Sequence, residues 1–278
     1  MTTRQFLLSG WNWNPAVVAA CVLAIIGCLV IIPSLTRQRA WPLALGLMLF
    51  MVAMISPVGT LASGYLFSAH MLQHLLLLLV VPALLLAGLP AQAAKNSKCD
   101  KLTNEYKLPV METTSAWVAG VGAMWFWHIP AFCNAAAASG GIQGLQTISL
   151  LVMGAIFWWP VIGPREAQRL TPLSGVAYLS SACMACTLLG IFITFSPVEV
   201  CSIYHHPVDR LGILPLIRQG WGLTPVVDQQ VGGLLMWVPA CLIYLIGIIG
   251  QLVRWYGNSQ AEGVPTLTTA KAGNTASS

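Results

Sequence analysis

Residues 67–86 read FSAHMLQHLLLLLVVPALLL. The run holds no Asp, Glu, Lys or Arg, and it matches the roughly 20 residues that a helix needs to cross a hydrocarbon core about 30 Å thick. Six further runs have the same character, at 16–32, 41–61, 116–132, 145–162, 172–195 and 229–251, and none contains Asp, Glu, Lys or Arg. Pro57 and Gly59 interrupt the second, which a membrane helix tolerates when neighbouring groups take up the freed carbonyl. The expected fold is therefore an all-α polytopic membrane protein with seven transmembrane helices.

Composition agrees. Of the 278 residues, 57% are hydrophobic and 8% charged, against about 25% charged in a soluble domain, so a water-soluble fold could not cover itself. The lipid bilayer is the expected solvent. Orientation follows from Lys and Arg, which mark cytoplasmic loops. One set of connections carries Arg4, Arg210 and Arg218; the other carries Arg37, Arg39, Lys95, Lys98, Lys101, Lys107, Arg165, Arg169, Arg254 and Lys271. The second set is the expected cytoplasmic face, which puts the amino terminus outside and the carboxyl terminus in the cytoplasm. The net charge of +5 is thus a topology signal, with no nucleic-acid partner implied.

The expected organisation is a transmembrane domain over 1–255 and a disordered cytoplasmic tail over 256–278, rich in Gly, Ser, Thr and Ala. No internal repeat is evident. Val18-Ala19-Ala20-Cys21 imitates a lipoprotein cleavage box, but apolar residues continue past Cys21, and no cleaved signal is expected. Ion-coupled transporters keep ionisable residues deep in their spans; their absence here argues against proton-coupled transport. No phosphate-binding glycine loop occurs in 91–115.

On this topology all five histidines fall on the outer side. His70 and His74 lie four residues apart, which on a helix stacks their imidazoles on one face. His128, in WFWHIP, lies at similar depth on another span. Asp228 and Met236 bracket the outer end of the last span. Met71 is adjacent, although it points away from the face of its histidine neighbours. A lone membrane histidine commonly ties helices together, but three at one level suit a metal ion. Imidazole with thioether nearby favours copper, with zinc the alternative. HMLQH lacks the glutamate of an HExxH hydrolase. The expected metal-site residues are His70, His74, His128, Asp228 and Met236. His205 and His206 read equally well as residues of a solvated loop.

The eight cysteines form no disulfide framework. Cys21, Cys28, Cys183, Cys186 and Cys241 lie within spans, and Cys99 faces the reducing cytoplasm. Cys133 and Cys201 are both outside, close enough in topology to pair or to remain apart. Cys183 and Cys186 form a CxxC in the small-residue run SSACMAC, suited to close helix packing or to relaying copper.

Four motifs, SAHMLQHLLLLLVVPALLLAGLP from Ser68, WHIPAFCNAA from Trp127, LGIFITFSP from Leu189 and DQQVGGLLMWVP from Asp228, together resemble the CtaG family of cytochrome c oxidase assembly factors associated with caa-type oxidases. The resemblance covers the chain from the third span to the seventh. It implies a multi-pass protein of the bacterial inner membrane that helps mature a haem-copper oxidase by bringing it copper, with oxidase subunits as partners and no catalytic activity of its own. His70 and His74 match the first motif, His128 the second, and Asp228 and Met236 the last. The alternative is a membrane zinc hydrolase with Asp228 as the base that activates bound water. A b-type cytochrome is disfavoured, because ligands one turn apart on one helix cannot clasp both faces of a haem.

Overall fold

The computed structural model describes residues 2–13, 15–31, 36–89 and 113–262; Lys95, Lys98, Cys99, Lys101, Lys107 and the stretch 263–278 lie outside them. The described residues form helices and no strand: α1 (Thr3–Ser9), α2 (Pro15–Ile31), α3 (Arg37–Ile55), α4 (Pro57–Ala62), α5 (Phe67–Leu75), α6 (Val81–Gly88), α7 (Thr113–Trp127), α8 (Pro130–Ala138), α9 (Gly140–Ile162), α10 (Pro172–Phe195), α11 (Ser202–His205) and α12 (Pro225–Glu262). A π-helical turn, Leu76–Val80, joins α5 to α6.

Five helices are long and apolar enough to cross a membrane: Arg37–Ile55, Phe67–Gly88, Gly140–Ile162, Pro172–Phe195 and Pro225–Gln260. The α7–α8 pair makes a sixth if its two arms count as one span. Val17–Gly27 is apolar but shorter. Large apolar side chains such as Val118, Ile148, Phe192, Leu242 and Ile246 are exposed on the outside of the bundle, the surface that a bilayer rather than water would cover.

Two expected spans differ in shape, for the same reason. The 41–61 run stops as a helix at Ile55. Ser56 turns extended and its hydroxyl accepts from the Val58 amide, while Pro57 opens the short α4. At a first helical turn the missing proline N–H leaves no bond unmade, so the chain restarts here instead of bridging the interruption. The 116–132 run likewise ends at Trp127. Ile129 is extended, Pro130 opens α8, and the two arms meet at 73°. The residue before a proline disfavours the α conformation, and His128 occupies the resulting corner. At the other end of the chain, α12 runs on to Glu262, into the stretch read from composition as the start of a tail.

The Phe67–Gly88 span is the central element: 61% of its apolar window is buried, against 28% to 39% for the other four long helices. It packs on α3, α4 and α12, and through its π turn and α6 on α9. The π turn passes Gly154 of α9 so closely that a Cβ there would collide with the Leu78 carbonyl. Gln73 fixes the span to α3, its amide donating to the Ala53 carbonyl at 2.6 Å.

A lid closes one end. Phe6 of α1 packs with Ala62, Tyr65, Leu66, Ala69, Ile213 and Ile217 in a small core of their own, and Trp221 stands edge-on to Phe6. The Trp221 indole donates to Thr3 Oγ1. Cys133 and Cys201 form a disulfide, Cα atoms 5.9 Å apart, tying α8 to the segment that leads into α11. At the opposite end the Arg39 guanidinium donates to the Leu89 carbonyl at 2.7 Å. Arg169 lies nearby, lowered below the usual arginine range by burial first and by neighbouring Arg254 and Arg39 next.

Candidate functional site

The turn spacing of α5 brings His70 and His74 together, ring centroids 4.3 Å apart and tilted by 56°. The α7–α8 corner brings in His128, its ring edge-on to His74 at 5.1 Å. All three are buried. His128 Nδ1 lies 2.6 Å from the Met124 carbonyl. A carbonyl can only accept, so Nδ1 carries the proton and Nε2 keeps its lone pair. That lone pair faces the Met71 sulfur at 3.0 Å. A thioether is itself an acceptor, and two electron-rich atoms this close favour a cation beside them.

Both ring nitrogens of His70 and both of His74 have no hydrogen-bond partner. Gln146 of α9 flanks His74, but its Nε2 is also unpartnered; the two groups are neighbours without hydrogen-bond alignment. Tyr204 of α11 covers His70, rings 5.3 Å apart, and its hydroxyl donates to the Ala62 carbonyl at 2.7 Å. Burial raises the Tyr204 phenol above its usual range, and Asp228 adds to the effect, so the hydroxyl stays protonated as a donor.

Asp228 sits elsewhere than on the imidazoles. Its Oδ2 accepts from the Phe67 amide at 2.7 Å, and its Oδ1 from the Ser68 amide at 3.0 Å and the Ser68 hydroxyl. The carboxylate of α12 thereby caps α5, whose own N-cap residue, Leu66, has no side-chain acceptor. A buried negative charge at a helix N-terminus meets unpaired N–H groups and the positive end of the dipole. Asp228 therefore orients the turn that bears His70. The hydrolase alternative required this carboxylate as a free base, and both its oxygens are engaged. Met236 is buried, its carbonyl accepting from the Cys186 thiol at 2.9 Å. It lies one turn beyond Gly232, where a Cβ would collide with the Phe67 ring and press on Met71.

Met71 is the residue that the spacing argument set aside. It does diverge from the His70–His74 face, but the close approach of α12 at Gly232 leaves it beside His128. The α7 corner that decides this contact is a tertiary feature; only the prolines at 130 and 57 hinted at breaks. His205 also departs from the solvated-loop reading: Nε2 lies 3.1 Å from Gln229 Oε1 and Nδ1 3.3 Å from Glu199. His206 fits that reading, with its side chain 80% exposed. The CxxC is divided between two contacts, Cys186 to Met236 and Cys183 to Cys241.

The donor set suits a soft cation. Imidazole lone pairs and a thioether fit copper, and each buried unpartnered nitrogen costs about 1–3 kcal/mol that a ligand would offset. Among the described residues no three His, Cys, Asp or Glu side chains stand ready to share an ion, so joint ligation by the three histidines requires their rings to rotate.

The chain is 23% identical over 275 residues to the uncharacterized proteins Mb0105 of Mycobacterium bovis and MT0111 of Mycobacterium tuberculosis, and 22% identical over 269 residues to ML1998 of Mycobacterium leprae. The alignments take in 88% to 90% of this chain but only 39% to 40% of those proteins, so it spans about two-fifths of the length of the curated relatives it matches. No solved structure matches it. Residues 15–258 match the family described as cytochrome c oxidase caa3 assembly factor (Caa3_CtaG). That stretch contains every motif discussed above, from the α5 histidines to the Asp228 cap, and the chain accordingly belongs to the caa3-type cytochrome c oxidase assembly factors.

Proposed function

We propose that the protein binds copper at the outer end of its helix bundle and helps deliver it to a subunit of a haem-copper cytochrome c oxidase during assembly. The observation that carries this reading is the set of four unpartnered imidazole nitrogens on His70 and His74 beside the His128–Met71 contact. Membership of an oxidase assembly family supports the destination. Copper is cargo here, not a resident cofactor. His70, His74 and His128 supply nitrogen donors, Met71 a sulfur that favours the reduced ion, Asp228 holds the α5 turn in position, and Met236 is buried one turn beyond Gly232 on α12, in the same core as Met71. The role is non-catalytic.

The proposed setting is the bacterial inner membrane, crossed seven times. The two further crossings are the Pro15–Ile31 helix and the bent α7–α8 pair. The amino terminus lies outside and the carboxyl terminus in the cytoplasm. The Lys and Arg distribution supports this orientation, as does the arginine group around Arg169 at the end away from the Cys133–Cys201 disulfide, since disulfides persist in oxidising compartments.

The test is Cu(I) titration of the purified, metal-depleted full chain in detergent, against a competing chelator, with oxidase activity measured in cells carrying the same variants. His74→Ala and His128→Ala should each weaken binding by about 10- to 100-fold and lower oxidase activity, with little further loss when combined, because ligands of one centre are not additive. A triple variant of His70, His74 and His128 that binds as many copper equivalents as the wild type would overturn the reading.

A further inference from the structure

The seam between α10 and α12 carries sulfur chemistry that the outer site does not use. The two helices pack along much of their length, brought close by Gly190 and Gly233, where a Cβ on either would collide with the opposite backbone. About midway along both helices, Cys183 Sγ lies 3.1 Å from Cys241 Sγ. Thr187 Oγ1, one turn along α10 from Cys183, lies 3.2 Å from the same Cys241 sulfur. Cys186 is on the next turn, donating to the Met236 carbonyl. Both Cys183 and Cys241 are free thiols and only partly buried.

Packing alone requires small side chains at these positions, which Ala or Ser would supply. It does not require two thiols from different helices to meet sulfur to sulfur. Neither helix carries a carboxylate or imidazole within two turns of the pair, and two facing soft donors discriminate for a soft monovalent cation over hard or divalent ones. Charge sets the protonation. A bis-thiolate complex of Cu(I) would leave a net negative charge in apolar surroundings, which is costly. A complex with one thiolate and one thiol is neutral.

We infer that Cys183 and Cys241 form a second Cu(I) site within the α10–α12 seam, separate from the outer histidines. On binding, one of the two thiols gives up its S–H proton to bulk water and bonds the ion as thiolate, while the other bonds through a sulfur lone pair and keeps its S–H; Thr187 remains hydrogen-bonded to the Cys241 sulfur. One proton is released for each Cu(I) bound, and no oxidation state changes. The two sulfurs move apart from 3.1 Å to admit the ion. The site does not depend on the proposed function of the histidine cluster.

The experiment uses the full chain in detergent, anaerobic and reduced, with Cu(I) alone as the probe. In a His70→Ala/His74→Ala/His128→Ala background, Cu(I) should still bind with release of one proton, and should shield Cys183 and Cys241 from alkylation as read by mass spectrometry. Adding Cys183→Ser and Cys241→Ser, which preserve size, should weaken that binding by about 100-fold while the protein stays folded by circular dichroism. Equal alkylation of the two thiols with and without Cu(I) overturns the proposal, as does loss of two mass units in a disulfide with no bound copper. A chain that binds at the seam but not through its histidines sinks only the outer site; the reverse sinks only this one.

Discussion

Successive turns of α5 handle buried polar groups in opposite ways. In the first, the Phe67 and Ser68 amides and the Ser68 hydroxyl all end on the Asp228 carboxylate. In the following turn and the next, His70 and His74 bury four ring nitrogens that end on nothing. Both lie in the same apolar surroundings, where an unmade hydrogen bond costs about 1–3 kcal/mol. The first turn is fully satisfied by its cap, and the open one is the turn that the proposed copper binding would use. The rigid first turn also keeps the open one in place, since His70 follows Ser68 by two residues.

The contrast breaks most visibly at Asp228. Asp228→Ala strands the start of α5 and should destabilise the protein by about 3 kcal/mol or more, read as a lower thermal midpoint in detergent. Asp228→Asn keeps one acceptor oxygen and should fall between the two. Equal midpoints for wild type and Asp228→Ala would mean that the cap contributes nothing and that the two turns do not differ.

His74→Leu sharpens the other side. Removing a ring whose nitrogens are unpartnered, and replacing it with an apolar side chain, should leave stability unchanged or raise it by about 1 kcal/mol, while Cu(I) affinity falls by about 10- to 100-fold. Destabilisation beyond about 2 kcal/mol with intact copper binding would return His74 to the role of a helix tie.

The smallest effect is expected at Met71. Met71→Leu nearly conserves volume, so it should cost less than about 1.5 kcal/mol of stability. It removes the soft donor facing His128, so preference for Cu(I) over Zn(II) should narrow by about tenfold, measured by competition between the two ions. An unchanged preference would show that the thioether only fills space.

Much of the architecture was legible along the chain because a bilayer imposes a length rule: an apolar run near 20 residues without charge has few other uses. The rule finds runs and is blind to breaks inside them. Ser56-Pro57 and His128-Ile129-Pro130 carry the signals of helix restarts, yet a proline in a membrane helix can also be bridged by neighbours, and the choice depends on what packs alongside. The lid was harder to see. Phe6, Tyr65, Ile213 and Ile217 are far apart in sequence and follow no common period, so their joint core emerges only when the chain ends and loops close over the bundle.

The site divides along the same line. Helical periodicity by itself put His70 beside His74, because residues four apart on one helix must share a face, and the alternation of apolar spans and charged connections put His128 and Asp228 at the same end. Which atoms meet was decided by packing. A bend of 73° aimed His128 at Met71, a residue that local geometry turned away from its neighbours; a glycine on α12 made room for that contact; and Asp228 went to the amides of α5, not to the imidazoles. Periodicity is a property of one backbone and can be read from it. Contacts between helices depend on how closely and at what angle separate backbones approach, and no single helix carries that information.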